Sequence, residues 1–169
     1  RDSINLQKKT TDNLAVIIKF LQMNNGDLIS AHGGSVGRYE DFIIRAPMNL
    51  SRNLDKPESF MGFEKIVGGR ISILIDSAPP LYGKNIKNAH AGLSSFELFF
   101  GKEPIFVNCG GGSRFGSEYR KYCQSSKAHN ILLINYKSQC SFAKKYFWNK
   151  KSDYYIKDGP KNISLVKNR

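Results

Sequence analysis

Phe60-Met61-Gly62-Phe63-Glu64-Lys65-Ile66-Val67, then Gly68-Gly69, then Arg70-Ile71-Ser72-Ile73-Leu74-Ile75-Asp76 is the stretch on which the fold turns. Two runs rich in β-branched and aromatic residues, joined by a glycine pair, read as an antiparallel hairpin, because glycine supplies the positive φ of a two-residue turn. Ile71, Ile73 and Ile75 then share one face of the second strand, since side chains alternate across a strand. The same grammar continues C-terminally. Leu93 to Phe100, Gly101-Lys102 and Pro104 to Asn108 read as a second hairpin, and His129 to Asn135 reads as a central strand. Weaker strands are expected over 142–148, 153–157 and 163–167. Many short strands separated by turn residues predict a mainly β chain, an antiparallel β-sandwich.

Upstream the period changes. Leu14, Ile17, Ile18 and Leu21 fall at i, i+3, i+4 and i+7, one face of a helix over about 11–24. Thr10 or Thr11 can cap its start, and Asn24-Asn25-Gly26 supplies a left-handed stop. From Asp27 to Glu58, Gly33-Gly34, Gly37, Pro47 and Pro57 interrupt any periodicity. That segment reads as loop with one short element at 38–46, and as the domain boundary. The helix is therefore expected to dock only loosely on the β domain.

With 169 residues and 40% hydrophobic content, the chain can bury the core of one domain. It has no apolar run of the roughly 18 residues a membrane span needs, and no signal-peptide pattern at its start. Both ends read as cuts through a longer protein, which leaves periplasmic and cytoplasmic locations equally open. Cys109, Cys123 and Cys140 are odd in number and irregular in spacing, so free thiols are expected rather than a disulfide framework. The formal charge of +12, from 26 Lys and Arg against 14 Asp and Glu, favours a polyanionic partner or reflects base composition. No nucleic-acid recognition motif accompanies it, so nucleic acid is not the expected polyanion.

Three stretches in order are more specific. Asn88-Ala89-His90-Ala91-Gly92 leads into Ser95-Phe96-Glu97-Leu98, Ile105-Phe106-Val107-Asn108-Cys109-Gly110 follows, and Tyr119-Arg120 precedes Ser125-Ser126-Lys127-Ala128-His129-Asn130. Across roughly 56–140 this set resembles the heparinase II/III-like polysaccharide lyases. Their usual pattern is His-x-His-x-Asp before Ser-Phe-Glu, then Val-Asp-x-Gly, then Arg-Ser-Thr-x-Ala-His-Asn. The resemblance implies that residues 1–55 end a helical (α/α) toroid and that 56–169 belong to its β-sandwich, with the remaining toroid of the same chain as a partner. It also implies β-elimination on uronic-acid-containing acidic polysaccharide, which needs a donor to the uronate carboxylate, a base for the C5 proton and an acid for the leaving oxygen. Asn88 replaces the first family histidine, Gly92 the following Asp, and Asn108 the strand-end Asp. Asn88 and Tyr119 are then the catalytic candidates, and Arg120 and Arg114 the substrate-binding ones. His90, Asn108 and His129 correspond to zinc ligands of relatives, with the amide of Asn108 a poor exchange for a carboxylate. Because most family acids and bases come from the toroid, this part alone is expected to be inactive. A non-catalytic anionic-glycan-binding sandwich is the competing expectation.

The remaining motifs are open to two readings each. Gly110-Gly111-Gly112-Ser113-Arg114-Phe115-Gly116 lacks the ending of a phosphate loop and reads as a loop lining a glycan cleft. By resemblance, Phe115 occupies the place of a family tyrosine, for which Tyr119 or Tyr122 can substitute. Arg120 either grips a substrate carboxylate or pairs with Glu97 or Glu118. His32 either faces the cleft or is solvated. The aromatic, Lys-rich stretch 146–151 either stacks on sugars or packs between strands.

Overall fold

The computed structural model describes residues 2–34, 59–84, 86, 88–146 and 152–161. The expected element at 38–46 and the strand at 163–167 lie outside these residues.

Helix α1 runs Asp2–Leu21, longer and earlier than its apolar stripe alone indicates. Thr10 and Thr11 are not caps. They sit inside the helix, and their hydroxyls donate back to the carbonyls of Leu6 and Gln7, the local bond that makes threonine tolerable there. The expected stop is present: Gly26 has φ +93°, and the Asn25 side chain accepts the backbone N–H of Asp27. Among the described residues α1 meets the β domain at its C-terminal end, where Phe20 and, just beyond the helix, Met23 are buried against Phe63, Leu74 and Phe99. Burial of each such side chain contributes roughly 1.5–3 kcal/mol. Lys65 Nζ adds bonds to the carbonyls of Phe20 and Gln22, whereas Ile4 and Leu6 near the other end are exposed.

The chain is mainly β, as its grammar predicts. Strands β1 (Ser59–Phe60), β2 (Phe63–Gly68), β3 (Ile71–Asp76), β4 (Phe96–Phe100) and β5 (Glu103–Phe106) form one antiparallel sheet in sequential order. The β2–β3 turn is Gly69-Arg70 rather than Gly68-Gly69, because Gly68 pairs with Ile71. Ile71, Ile73 and Ile75 do share a face, but it is the open one. Ser72, Leu74 and Asp76 are the buried set on β3, and Glu97 and Phe99 continue that face on β4. Strands β6 (Ser141–Tyr146) and β7 (Ser152–Asp158) form a second, two-stranded sheet. Its core joins Cys140 and Ile156 to Ala89 and Ala91.

One expectation is corrected between the sheets, and one element there is new. Residues 129–135 form no strand. The Asn130 amide donates to the carbonyls of Phe96 and Val107, a side chain taking the place of a backbone ladder, and Leu132 and Ile134 point into solvent. An unforeseen helix, α2 (Ser117–Gln124), instead follows the glycine loop. Buried Gln124 clamps the preceding crossover: its Nε2 donates to Ala89 O, and its carbonyl accepts from Ala91 N. His90 is thereby held between two fixed backbone groups. Cys109, Cys123 and Cys140 are free thiols.

Candidate functional site

The corner where β3, β4 and β5 end is built around one buried carboxylate. Glu97 lies at an inward position of β4, and its Oε1 accepts from Ser30 N at 2.9 Å, Asn108 N at 3.2 Å and Asn108 Nδ2 at 3.4 Å. Loss of water raises its pKa above the ordinary carboxylate range, partly offset by those bonds. Since the Asn108 amide nitrogen faces Glu97, its Oδ1 is left to accept, and it does so from His129 Nδ1 at 3.0 Å. His129 Nε2 lies 3.3 Å from His90 Nδ1, and both rings also bond the backbone of Cys123. His90 Nε2 faces Gly33, where a Cβ would stand 3.0 Å away. Gly33 has φ +79°, so both its backbone and its neighbour exclude a side chain.

Both imidazoles are neutral in this relay. Burial first, then the neighbouring His129, lowers His90 to about 3. Burial first, then His32, lowers His129 to about 4. His32 does not stand free in solvent: its Nε2 lies 3.2 Å from Asp76 Oδ2, and its ring meets Phe63 edge-on. The sequence reading missed Ser30, Asp76 and the central role of Glu97. A charged residue between Phe96 and Leu98 in an otherwise apolar strand was the available signal.

His90, Asn108 and His129 are brought together, as the resemblance implied, but not as three ligands around one point. Asn108 binds the far nitrogen of His129 and acts as its orienting partner. With its Oδ1 bonded to His129 Nδ1, Asn108 offers at most a neutral carboxamide, a weak donor for zinc beside two imidazoles. Zinc analysis of the purified protein is expected to give well under one equivalent per chain, and a chelator should leave its melting temperature unchanged. A full equivalent that disappears in His90→Ala would overturn this reading of the donor set.

Outside the corner, Arg120 Nη2 donates to the Asn88 side-chain oxygen at 3.1 Å. Of the two acids considered for Arg120, Glu97 accepts from Asn108 and Glu118 accepts from the Tyr154 hydroxyl. Tyr119 is exposed on α2, and Arg114 is exposed in the short 3₁₀ turn before it. Asn88, Tyr119, Arg120 and Arg114 thus share the loop–helix side of the corner. Among the described residues no helix is long and apolar enough to cross a membrane.

A buried polar corner at the strand ends of an antiparallel sheet, flanked by a glycine loop carrying Arg114 and a helix carrying Tyr119 and Arg120, marks a β domain with a recessed polar site among the described residues. The sequence profile described as "Heparinase II/III-like, C-terminal" matches residues 56–168, and the chain belongs to that family. It is also 28% identical over 116 residues to FtsZ-localized protein C of Caulobacter vibrioides (strain NA1000 / CB15N), a match covering 65% of this chain and 19% of that protein. The chain thus spans about a fifth of the length of that relative. No solved structure matches.

Proposed function

We propose that this chain forms the β-domain wall of a cleft for uronate-containing acidic polysaccharide, in a protein whose helical toroid, ending within residues 1–55, supplies the base and acid of β-elimination. The observation that carries the reading is the Arg120–Asn88 contact at the rim of the histidine corner. It places a guanidinium and an amide side by side, the two groups best suited to grip a carboxylate and the charge that develops on it. Tyr119, exposed on the same helix, is the proton-transferring candidate, and Arg114 a second carboxylate contact. The net charge of +12 draws such a polyanion toward the surface.

One observation favours the non-catalytic alternative, an anionic-glycan-binding sandwich. The histidine corner satisfies itself through Glu97 and Asn108, and both rings are neutral. The two readings separate in one experiment on the full-length protein with a uronate-containing oligosaccharide. Arg120→Ala is expected to weaken binding roughly tenfold, the scale of one charge-assisted hydrogen bond, and binding should weaken with salt. Release of unsaturated uronate, followed by ultraviolet absorbance, marks the lyase; salt-sensitive binding with no product marks the binding module. Unchanged affinity in Arg120→Ala would remove the contact on which both rest.

A further inference from the structure

Phe115, Tyr119 and Tyr122 are 74%, 51% and 55% exposed, and their rings form a continuous row. Phe115 meets Tyr119 edge-on with centroids 5.1 Å apart, and Tyr119 leans toward Tyr122 at 6.5 Å. Tyr119 and Tyr122 are one turn apart on α2 and so share its surface. Phe115 reaches them through a loop that glycine makes possible: Gly112 has φ +62° and Gly116 φ +96°, and a Cβ on Gly112 would stand 2.6 Å from Cys123 Sγ and 3.0 Å from Tyr119 Cδ1. The backbone is shaped to bring a third ring to a surface where burial gains it little. Contiguous exposed rings of this kind mark a binding surface.

The chemistry around the row selects the occupant. Arg114 precedes Phe115 in the same 3₁₀ turn, Arg120 follows Tyr119 on α2, and Arg120 is bound to Asn88. A ligand with a flat apolar face and an anionic, hydroxyl-bearing rim satisfies both the rings and the guanidinium–amide pair. An apolar protein helix laid on the rings would also take the neighbouring exposed Arg114 charge out of water, a desolvation cost that a carboxylate-bearing ligand offsets. A pyranose ring bearing a carboxylate has both features.

We propose that Phe115, Tyr119 and Tyr122 form a stacking platform for a pyranose ring of a uronate-containing glycan, next to the Arg120–Asn88 contact; this rests on the acidic-glycan reading above. Phe115 and Tyr122 bind the sugar face and transfer no proton. The test uses the full-length protein and three probes: a uronate-containing hexasaccharide, the same sugar with its carboxyls reduced, and inorganic polyphosphate. Phe115→Ala and Tyr122→Ala are each expected to lower affinity for both sugars roughly tenfold, the scale of one well-packed ring contact, and to leave polyphosphate binding unchanged. Tyr122→Trp should report the charged hexasaccharide by a change in indole fluorescence. Wild-type affinity for the hexasaccharide in both alanine variants would overturn the platform while leaving the acidic-glycan reading intact. Parallel loss of polyphosphate binding would overturn it too, because stacking does not act on a ligand without a ring. Wild-type protein that binds polyphosphate and neither sugar would overturn the acidic-glycan reading, and the platform with it.

Discussion

Acidification from about pH 6.5 to about pH 4 is expected to destabilise the protein steeply, because the fold holds two histidines neutral that the unfolded chain protonates. Burial lowers His90 to about 3 and His129 to about 4, against an ordinary value near 6.5. Both folded values lie below the unfolded one, so their contribution is fully present above about pH 6.5 and is lost as pH falls toward the folded values. Each histidine contributes a slope of about 1.4 kcal/mol per pH unit while it is neutral in the fold and charged outside it. Glu97 works the other way. Its raised folded value means that its contribution is complete below its unfolded pKa and is lost as pH rises through the folded one. One group opposing two leaves the net direction toward acid unfolding. Urea midpoints measured between pH 8 and pH 4 check this, and His90→Gln should reduce the slope while lowering stability at neutral pH. A midpoint that stays level down to about pH 4.5 would show that the rings are already charged or open to water in the fold.

Glu97→Leu is the second large effect. The side chain fits the volume but removes the acceptor for Ser30 N, Asn108 N and Asn108 Nδ2, and an unsatisfied buried donor costs about 1–3 kcal/mol. A loss of at least about 3 kcal/mol is expected, read from thermal or urea unfolding. Glu97→Gln keeps a carbonyl oxygen in place and should cost about 1 kcal/mol. Near-equal stability of Glu97→Leu and wild type would mean that these donors reach water. The Leu variant should also loosen His129, since Asn108 would lose the partner that turns its oxygen toward the ring. Histidine ring nitrogen shifts by NMR report that separately from stability.

The hairpins were legible because their determinants are local: alternation in β3, a glycine at each tight turn, and a run of strand-forming residues on either side. The sheet face that is buried was not legible from β3 alone. Three isoleucines outweigh Ser72, Leu74 and Asp76 in hydrophobicity, yet Phe20 of the distant helix and Met23 just past its end cover the latter face. The error at 129–135 has a similar origin. Its continuous apolar run Ile131-Leu132-Leu133-Ile134 looks like a central strand, but the Asn130 amide takes up carbonyls of Phe96 and Val107, a long-range event invisible to local pattern. Helix α2 was hidden by its composition, with only Tyr119, Tyr122 and Cys123 apolar or aromatic among eight residues. The site was partly readable through the resemblance, which named His90, Asn108 and His129 as a group. Their arrangement as a connected chain from Glu97 through Asn108 to the two rings depends on which end of the Asn108 amide faces Glu97, and that is set by packing.

The attachment of α1 has a mechanical consequence. Twenty helical residues make a rod of about 30 Å, and among the described residues its contacts with the sheet lie at the C-terminal end, where Phe20, the following Met23 and the Lys65 bonds act as a fulcrum. A tilt of about 10° at that fulcrum would sweep the opposite tip through about 5 Å, with the rod length from the rise per residue. The fulcrum and the relay also share a connector, since Ser30 binds Glu97 nine residues beyond Leu21, in a segment that returns to the sheet through Ile29. A displacement at the fulcrum is therefore geared to the carboxylate that orients Asn108, and through it to the two imidazoles.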